Sequence, residues 1–248
     1  MMNNTQKAEH IVKWIKEYVS NMPTPAKALC VNCSGGVDSS LVSKLCAMTG
    51  LKTIALSLPL RSKPESHNLS IKHQEWLKKK FKNIECHVIN LDTVYESFKK
   101  TLSKFDHKLG LVNSKARLRM VTIYQVAAKN EGIVVGTGNA VEDFAIGFFS
   151  KGGDGQVDIS PIGDLTKTEV WSLAEHLEIL DEIIKAEPTD GLWESQTGHT
   201  DVAQIGLTYP ELEKAIKNPE DKNHQKYLEI RKKNLHKMSP IPVCKMDD

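Results

Sequence analysis

The stretch Leu29-Cys30-Val31-Asn32-Cys33-Ser34-Gly35-Gly36-Val37-Asp38-Ser39-Ser40 decides the fold. An apolar run ends at Ser34-Gly35-Gly36, and helical spacing resumes after Asp38 with Leu41, Val42 and Leu45. The order is strand, tight glycine loop, helix. Two glycines allow positive φ and let bare N–H groups approach a ligand. Ser34, Ser39 and Ser40 add hydroxyl donors, and the helix N-terminus adds positive potential, so the loop suits a phosphate. No Gly-x-x-x-x-Gly-Lys-Ser/Thr occurs in the chain, which excludes the Walker loop. In an ordinary turn Asp38 would be only a first-turn helix acid. The order of elements around it favours the phosphate site.

The 248 residues carry 33 basic against 31 acidic side chains, a balance with no global pull toward nucleic acid or membrane. A chain of this length buries roughly 70–75% of its unfolded surface and needs no disulfide or metal staple. No run approaches the ~18 apolar residues of a membrane span, and Met1-Met2-Asn3-Asn4-Thr5-Gln6-Lys7 is no signal peptide. The five cysteines sit in apolar contexts, so a reduced, cytoplasmic protein is expected.

Outward from the loop, strands and helices alternate. Ile11, Trp14, Ile15 and Val19 define a helix over 5–19, ended by Pro23 and Pro25. The loop unit itself gives strand 28–33 and helix 38–48. Further strands are expected at 53–58, 85–91 and 132–136, with helices at 69–81, 93–102 and 114–130. Thr166 and Glu169 form a capping box that opens another helix, and the C-terminal third is helical and charged. The class is α/β: a parallel sheet of about five strands with helices on both faces, one domain over 1–248 with a helical C-terminal extension. Ligands of such sheets bind at the carboxyl ends of the strands, where the glycine loop lies. The glycine-rich, irregular stretch 147–164 reads as a functional loop.

Asp38 in the loop and Glu142 just past the strand 132–136 are carboxylates from two strand ends, a usual way to hold Mg²⁺ beside phosphates. By spacing alone, Glu142 reads equally well as a helix-start or surface acid. Lys167 falls in the first turn of its helix, where the dipole disfavours a cation. A phosphate at that N-terminus would explain it; a solvated surface lysine is the plainer alternative.

Ser34-Gly35-Gly36-Val37-Asp38-Ser39 resembles the pyrophosphate-binding loop of the ATP pyrophosphatases, which cut ATP between its α and β phosphates. Then follow Ala116-Arg117-Leu118-Arg119, Gly136-Thr137, Glu142, Lys151-Gly152-Gly153-Asp154-Gly155, Asp158, Pro161, Asp164-Leu165-Thr166-Lys167, Glu187-Pro188-Thr189 and His236-Lys237. These motifs stand in the order seen in ammonia-dependent NAD synthetases, and the resemblance runs over about residues 10 to 240. It implies an adenine-nucleotide alpha-hydrolase-like fold and a carbon–nitrogen ligase. A nicotinate carboxylate attacks ATP, pyrophosphate leaves, and ammonia displaces AMP from the acyl-adenylate to give the amide. Deamido-NAD to NAD is the expected conversion; the alternative is nicotinate mononucleotide to nicotinamide mononucleotide (NMN).

The resemblance also implies roles. Ser34, Gly35, Gly36, Asp38 and Ser39 would hold the pyrophosphate of ATP, with Thr137, Lys167 and Thr189 also on ATP. Asp38 and Glu142 would hold Mg²⁺. Arg117, Lys151, Asp158, His236 and Lys237 would hold the nicotinate nucleotide. Asp154 would receive ammonium and take a proton, so Asp154 and Lys167 are the expected catalytic pair. Arg117 and Arg119 lie about 200° apart on a helix, so only one faces a given ligand. The family pattern picks Arg117, leaving Arg119 to a structural ion pair. Relatives bind the nucleotide along a two-fold interface, so a homodimer is expected, with 114–130 and the N-terminal helix supplying apolar surface.

The chain departs from the family pattern in three places. Asn32 stands where glycine is usual, and Gly198-His199-Thr200-Asp201-Val202 replaces Ser/Thr-Asp-Glu. The loop 61–68 also matches poorly. These departures bear on which nucleotide is accepted more than on the reaction. Only 33 residues precede the loop, too few for a glutaminase, so free ammonium is the expected nitrogen donor.

Cys30-Val31-Asn32-Cys33 invites a second function, a tRNA-thiolating ATP pyrophosphatase. On a strand, positions three apart point to opposite faces, so the two thiols cannot share a ligand. The chain also lacks a basic surplus or RNA-binding appendage. A non-catalytic adenine-nucleotide sensor would not need Glu142, Lys167 and Arg117 together.

Overall fold

A computed structural model describes residues 2–189, 191–193 and 200–246. Helix α1 (Asn4–Asn21) leads to β1 (Leu29–Asn32) and α2 (Val37–Met48), the unit read from the glycine loop. Then come β2 (Thr53–Ser57), α3 (Pro64–Lys80), β3 (Ile84–Val88), α4 (Asp92–Thr101), α5 (Lys108–Lys129) and β4 (Ile133–Val135). The helices that follow are α6 (Lys167–His176), α7 (Asp181–Ile184), α8 (Asp201–Ile205), α9 (Tyr209–Lys217) and α10 (His224–Met238). Among the described residues the sheet has four strands, all parallel, in the order β3-β2-β1-β4. The expected fifth strand is reduced to one parallel bridge, Val135 to Ile159, because the turn-rich loop beyond β4 runs alongside it only over Asp158 and Ile159.

Alternation along the strands sorts the core. Leu29 and Val31 of β1 face α1, α2 and α6, packing with Ile15, Leu41, Leu45 and Leu173. Cys30 points the other way, among Ile54, Leu56, Tyr95, Ile123 and Ala127 under α4 and α5. Both faces are therefore covered, as a parallel sheet requires. Cys30 and Cys33 are free and buried, and burial pushes their thiols up to about 11 and about 12, where they act as small hydrophobes.

Two helices begin earlier than their apolar spacing suggested. Pro64 occupies the first turn of α3, where its missing N–H costs nothing, so the loop expected through residue 68 is already helix. The start of α5 is capped by His107, whose Nδ1 accepts from Gly110 N at 3.1 Å. After β4 the chain forms a π-helical turn, Ala140–Ile146, that periodicity did not signal. Among the described residues no helix is long and apolar enough to cross a membrane.

Candidate active site

The glycine loop sits at the carboxyl end of β1. Gly35 has φ +93°, and a Cβ there would lie 2.3 Å from Ser66 O of α3, so only glycine fits. Ser34 and Ser39 close the loop: their hydroxyls are 3.1 Å apart, and Ser39 Oγ donates to Gly36 O at 3.0 Å. Asp38 follows in the first turn of α2.

Asn139, fully buried after β4, ties a second loop to the first. Its Oδ1 accepts from Val141 N and Glu142 N at 3.0 Å, capping the π-helical turn, and its Nδ2 donates to Asp38 Oδ1 at 2.9 Å. The turn then aims Glu142 at Asp38. Between them stands Lys167, whose Nζ donates to Asp38 Oδ2 at 2.5 Å and Glu142 Oε1 at 2.9 Å. The two carboxylates account for a cation in that first turn. The lysine is buried, not solvated.

Burial alone would discharge Lys167, but Asp38 and Glu142 outweigh it and hold its pKa above the lysine norm. Burial also works against Glu142, yet Lys167 and the Tyr209 hydroxyl keep its carboxyl below the usual range. Asp38 is raised, by burial first and by the charge of Glu142. Burial raises the pKa of the neighbouring Asp143 well above normal, reinforced by Asp154, Glu142 and Asp38. Two carboxylates against one ammonium leave an uncompensated negative charge. That donor set fits Mg²⁺, which takes one or two carboxylates plus phosphate oxygens and waters.

These residues line a cavity of about 260 Å³. Ser34, Gly35, Gly36, Asp38, Ser39, Thr137, Glu142, Asp154, Lys167 and Thr189 all border it. Arg117, Lys151, His236 and Lys237 do not. They gather beside it around the loop 149–154: Arg117 Nε donates to Lys151 O (3.1 Å), Lys151 Nζ to His236 O (3.5 Å), and Lys237 Nζ to Phe149 O (2.7 Å). Burial lowers the pKa of Lys237, while the charges of Asp154 and Asp143 pull it up. Asp158 stands apart, accepting from Val134 N (2.7 Å) and the Tyr124 hydroxyl (3.2 Å).

Other residues were invisible in the sequence. The Tyr209 hydroxyl bridges Glu142 Oε1 and Asp201 Oδ2, the latter at 2.9 Å, and the Tyr209 ring lies 5.0 Å from Lys167 Nζ. Asp201, noted only as part of a departure, is buried in the cavity wall; Gly198 and His199 lie outside the described residues. Arg119, left by the sequence to a structural ion pair, lines the cavity and donates to Leu58 O (3.0 Å) and Ser62 Oγ (3.3 Å). Only the helical phase of Arg119, opposite Arg117, pointed to it.

The NAD synthase family model matches residues 7–246. The NH(3)-dependent NAD(+) synthetase of Carboxydothermus hydrogenoformans is 39% identical over 217 residues, covering 86% of this chain and 85% of that protein. That of Archaeoglobus fulgidus is 32% identical over 257 residues, covering 100% and 99%. Among solved structures, NMN synthetase from Francisella tularensis superposes with a TM-score of 0.90 at 29% identity, covering 99% of this chain and 100% of that one. An NH3-dependent NAD synthetase from Campylobacter jejuni shares the fold with a TM-score of 0.78 at 24% identity, covering 98% and 100%. A glycine loop at a strand end, a buried lysine between two carboxylates and this match across the chain lead to one assignment: the chain belongs to the NAD synthase family.

Proposed function

We propose that the protein is a single-domain ligase that amidates a nicotinate nucleotide with free ammonia at the expense of ATP, converting deamido-NAD to NAD. The observation that carries this reading is the Lys167–Asp38–Glu142 triad beside the glycine loop, with Asp154 across the same cavity. A carboxylate oxygen of the substrate attacks the α-phosphorus of ATP; the bond from that phosphorus to the bridging oxygen breaks, and pyrophosphate leaves. The Ser34–Ser39 loop holds the pyrophosphate, and Lys167, Thr137 and Thr189 bind the rest of the phosphate chain. Asp38 and Glu142 would hold Mg²⁺, which when bound neutralises charge on the leaving group. Ammonia then attacks the acyl carbon and AMP departs. Asp154 takes the proton that ammonium gives up. Arg117, Lys151, Asp158, His236 and Lys237 bind the nicotinate nucleotide.

The two candidate acids carry the same pyridine carboxylate, so the reacting residues cannot discriminate between them. The likeness to an NMN synthetase across nearly the whole of both chains favours nicotinate mononucleotide as the second reading. Measuring kcat/KM for both acids on one preparation decides it. A dinucleotide preference supports the first reading. A mononucleotide preference above tenfold, about 1.4 kcal/mol in transition-state binding, replaces it with the second.

We further propose a cytoplasmic homodimer. Exposed Leu109 and Val121 on α5 and the Trp14–Tyr18 pair on α1 supply apolar surface for it. A fully active monomer at micromolar concentration, seen by light scattering, would overturn this.

A further inference from the structure

Lysines are almost never fully buried without a partner. Lys115 of α5 is only 2% exposed, yet the triad does not use it. Its Nζ donates to the backbone oxygen of Leu192 at 2.9 Å and lies 5.3 Å from the centre of the Tyr95 ring. Tyr95 is itself buried, so the contact is shielded from water. On the same face of α5, Val112 and Ala116 pack on the Leu192 side chain, and Lys108 Nζ sits 5.3 Å over the ring of Trp193. One face of α5 therefore grips residues 192 and 193 by charge and by apolar contact. Leu192 and Thr189, three residues before it, both line the nucleotide cavity. A methionine would fill the same space without the cost of burying an ammonium.

We propose that Lys115 is a positioning residue for ATP: by holding Leu192 it keeps Leu192 and the nearby Thr189 in the wall of the cavity. It touches no phosphate itself and acts through the Leu192 carbonyl. This rests on the cavity being the ATP site of the proposed function.

The test is Lys115→Met, with steady-state KM for each substrate and ATP affinity by calorimetry. The KM for ATP rises about tenfold, the scale of one charge-assisted hydrogen bond. The KM values for ammonium and nicotinate nucleotide, and kcat, stay within about twofold. In a Thr189→Ala background, Lys115→Met adds little further, because both changes act on one segment. Unchanged ATP affinity in a folded variant overturns the proposal. So does a fall in kcat or melting temperature with the KM for ATP unmoved, which marks a purely structural lysine. If Lys115→Met does not fold, Val112→Ala, outside the cavity wall, carries the test through the apolar half of the same grip, with ATP affinity weakened about threefold. Wild-type protein that binds ATP but makes no amide counts against the proposed reaction alone; calorimetry still decides the role of Lys115.

Discussion

Lys167 Nζ lies 2.5 Å from Asp38 Oδ2 and joins the first turn of α6 to the first turn of α2 across 129 residues of sequence. The same nitrogen holds Glu142, so one ammonium gathers the carboxyl end of β1, the turn after β4 and the start of α6. Lys167→Met leaves two buried carboxylates facing each other without a counter-charge. Breaking such a network costs about 3–5 kcal/mol, or a melting temperature lower by roughly 10 °C. Turnover falls at least about a thousandfold. Calorimetry and a steady-state assay check both. A stable, active variant contradicts the triad.

Glu142→Gln keeps the shape of the turn and removes only charge, since Lys167 retains Asp38. The fold is expected to persist by circular dichroism while the rate drops about a hundredfold or more. Asp38→Asn is expected to behave alike. Near-normal turnover of Glu142→Gln at limiting Mg²⁺ would remove Glu142 from the metal site.

The glycine loop, its place at a strand end and the covered parallel sheet were legible because each rests on local spacing. Gly35 needed a positive φ, Thr166 and Glu169 formed the expected capping box, and alternation in 29–31 sent side chains to two faces. What escaped depends on contacts between distant segments. Asn139 matters because it reaches Asp38, and Tyr209 because it meets Glu142, neither of which any local pattern encodes. The burial of Lys167 was hidden for the same reason. The helical phase separated Arg117 from Arg119 but could not say which faced the cavity, and the early starts of α3 and α5 were masked by Pro64 and Gly110.

Gly35→Ala is the sharpest probe of the loop. A Cβ 2.3 Å from Ser66 O at φ +93° forces α3 or the loop to move. Strain of about 1–3 kcal/mol should appear as ATP binding weakened about tenfold or more, measured by calorimetry. Gly50, also at positive φ but with nothing near its Cβ position, is the control; Gly50→Ala leaves ATP affinity intact.

Acid stability follows from His73, fully buried against Ser43 at 2.8 Å and stacked on Trp76. Burial, with the nearby charge of Lys44, pushes its pKa down to about 4. The unfolded chain takes up this proton near pH 6.5 and the folded one does not, so stability is full above about 6.5 and falls as pH drops toward 4. The loss over that window is roughly 3 kcal/mol. His73→Gln should flatten the melting-temperature profile between pH 6.5 and 4. An unchanged slope would contradict a neutral buried His73.

Formation of the acyl-adenylate is the central claim, and exchange of labelled pyrophosphate into ATP without ammonium reads it directly. With ATP, Mg²⁺ and deamido-NAD present, label enters ATP, because the first step runs in reverse while the amidating step waits. Label entering without any nicotinate nucleotide, or failing to enter with both nucleotides supplied in turn, would contradict the account.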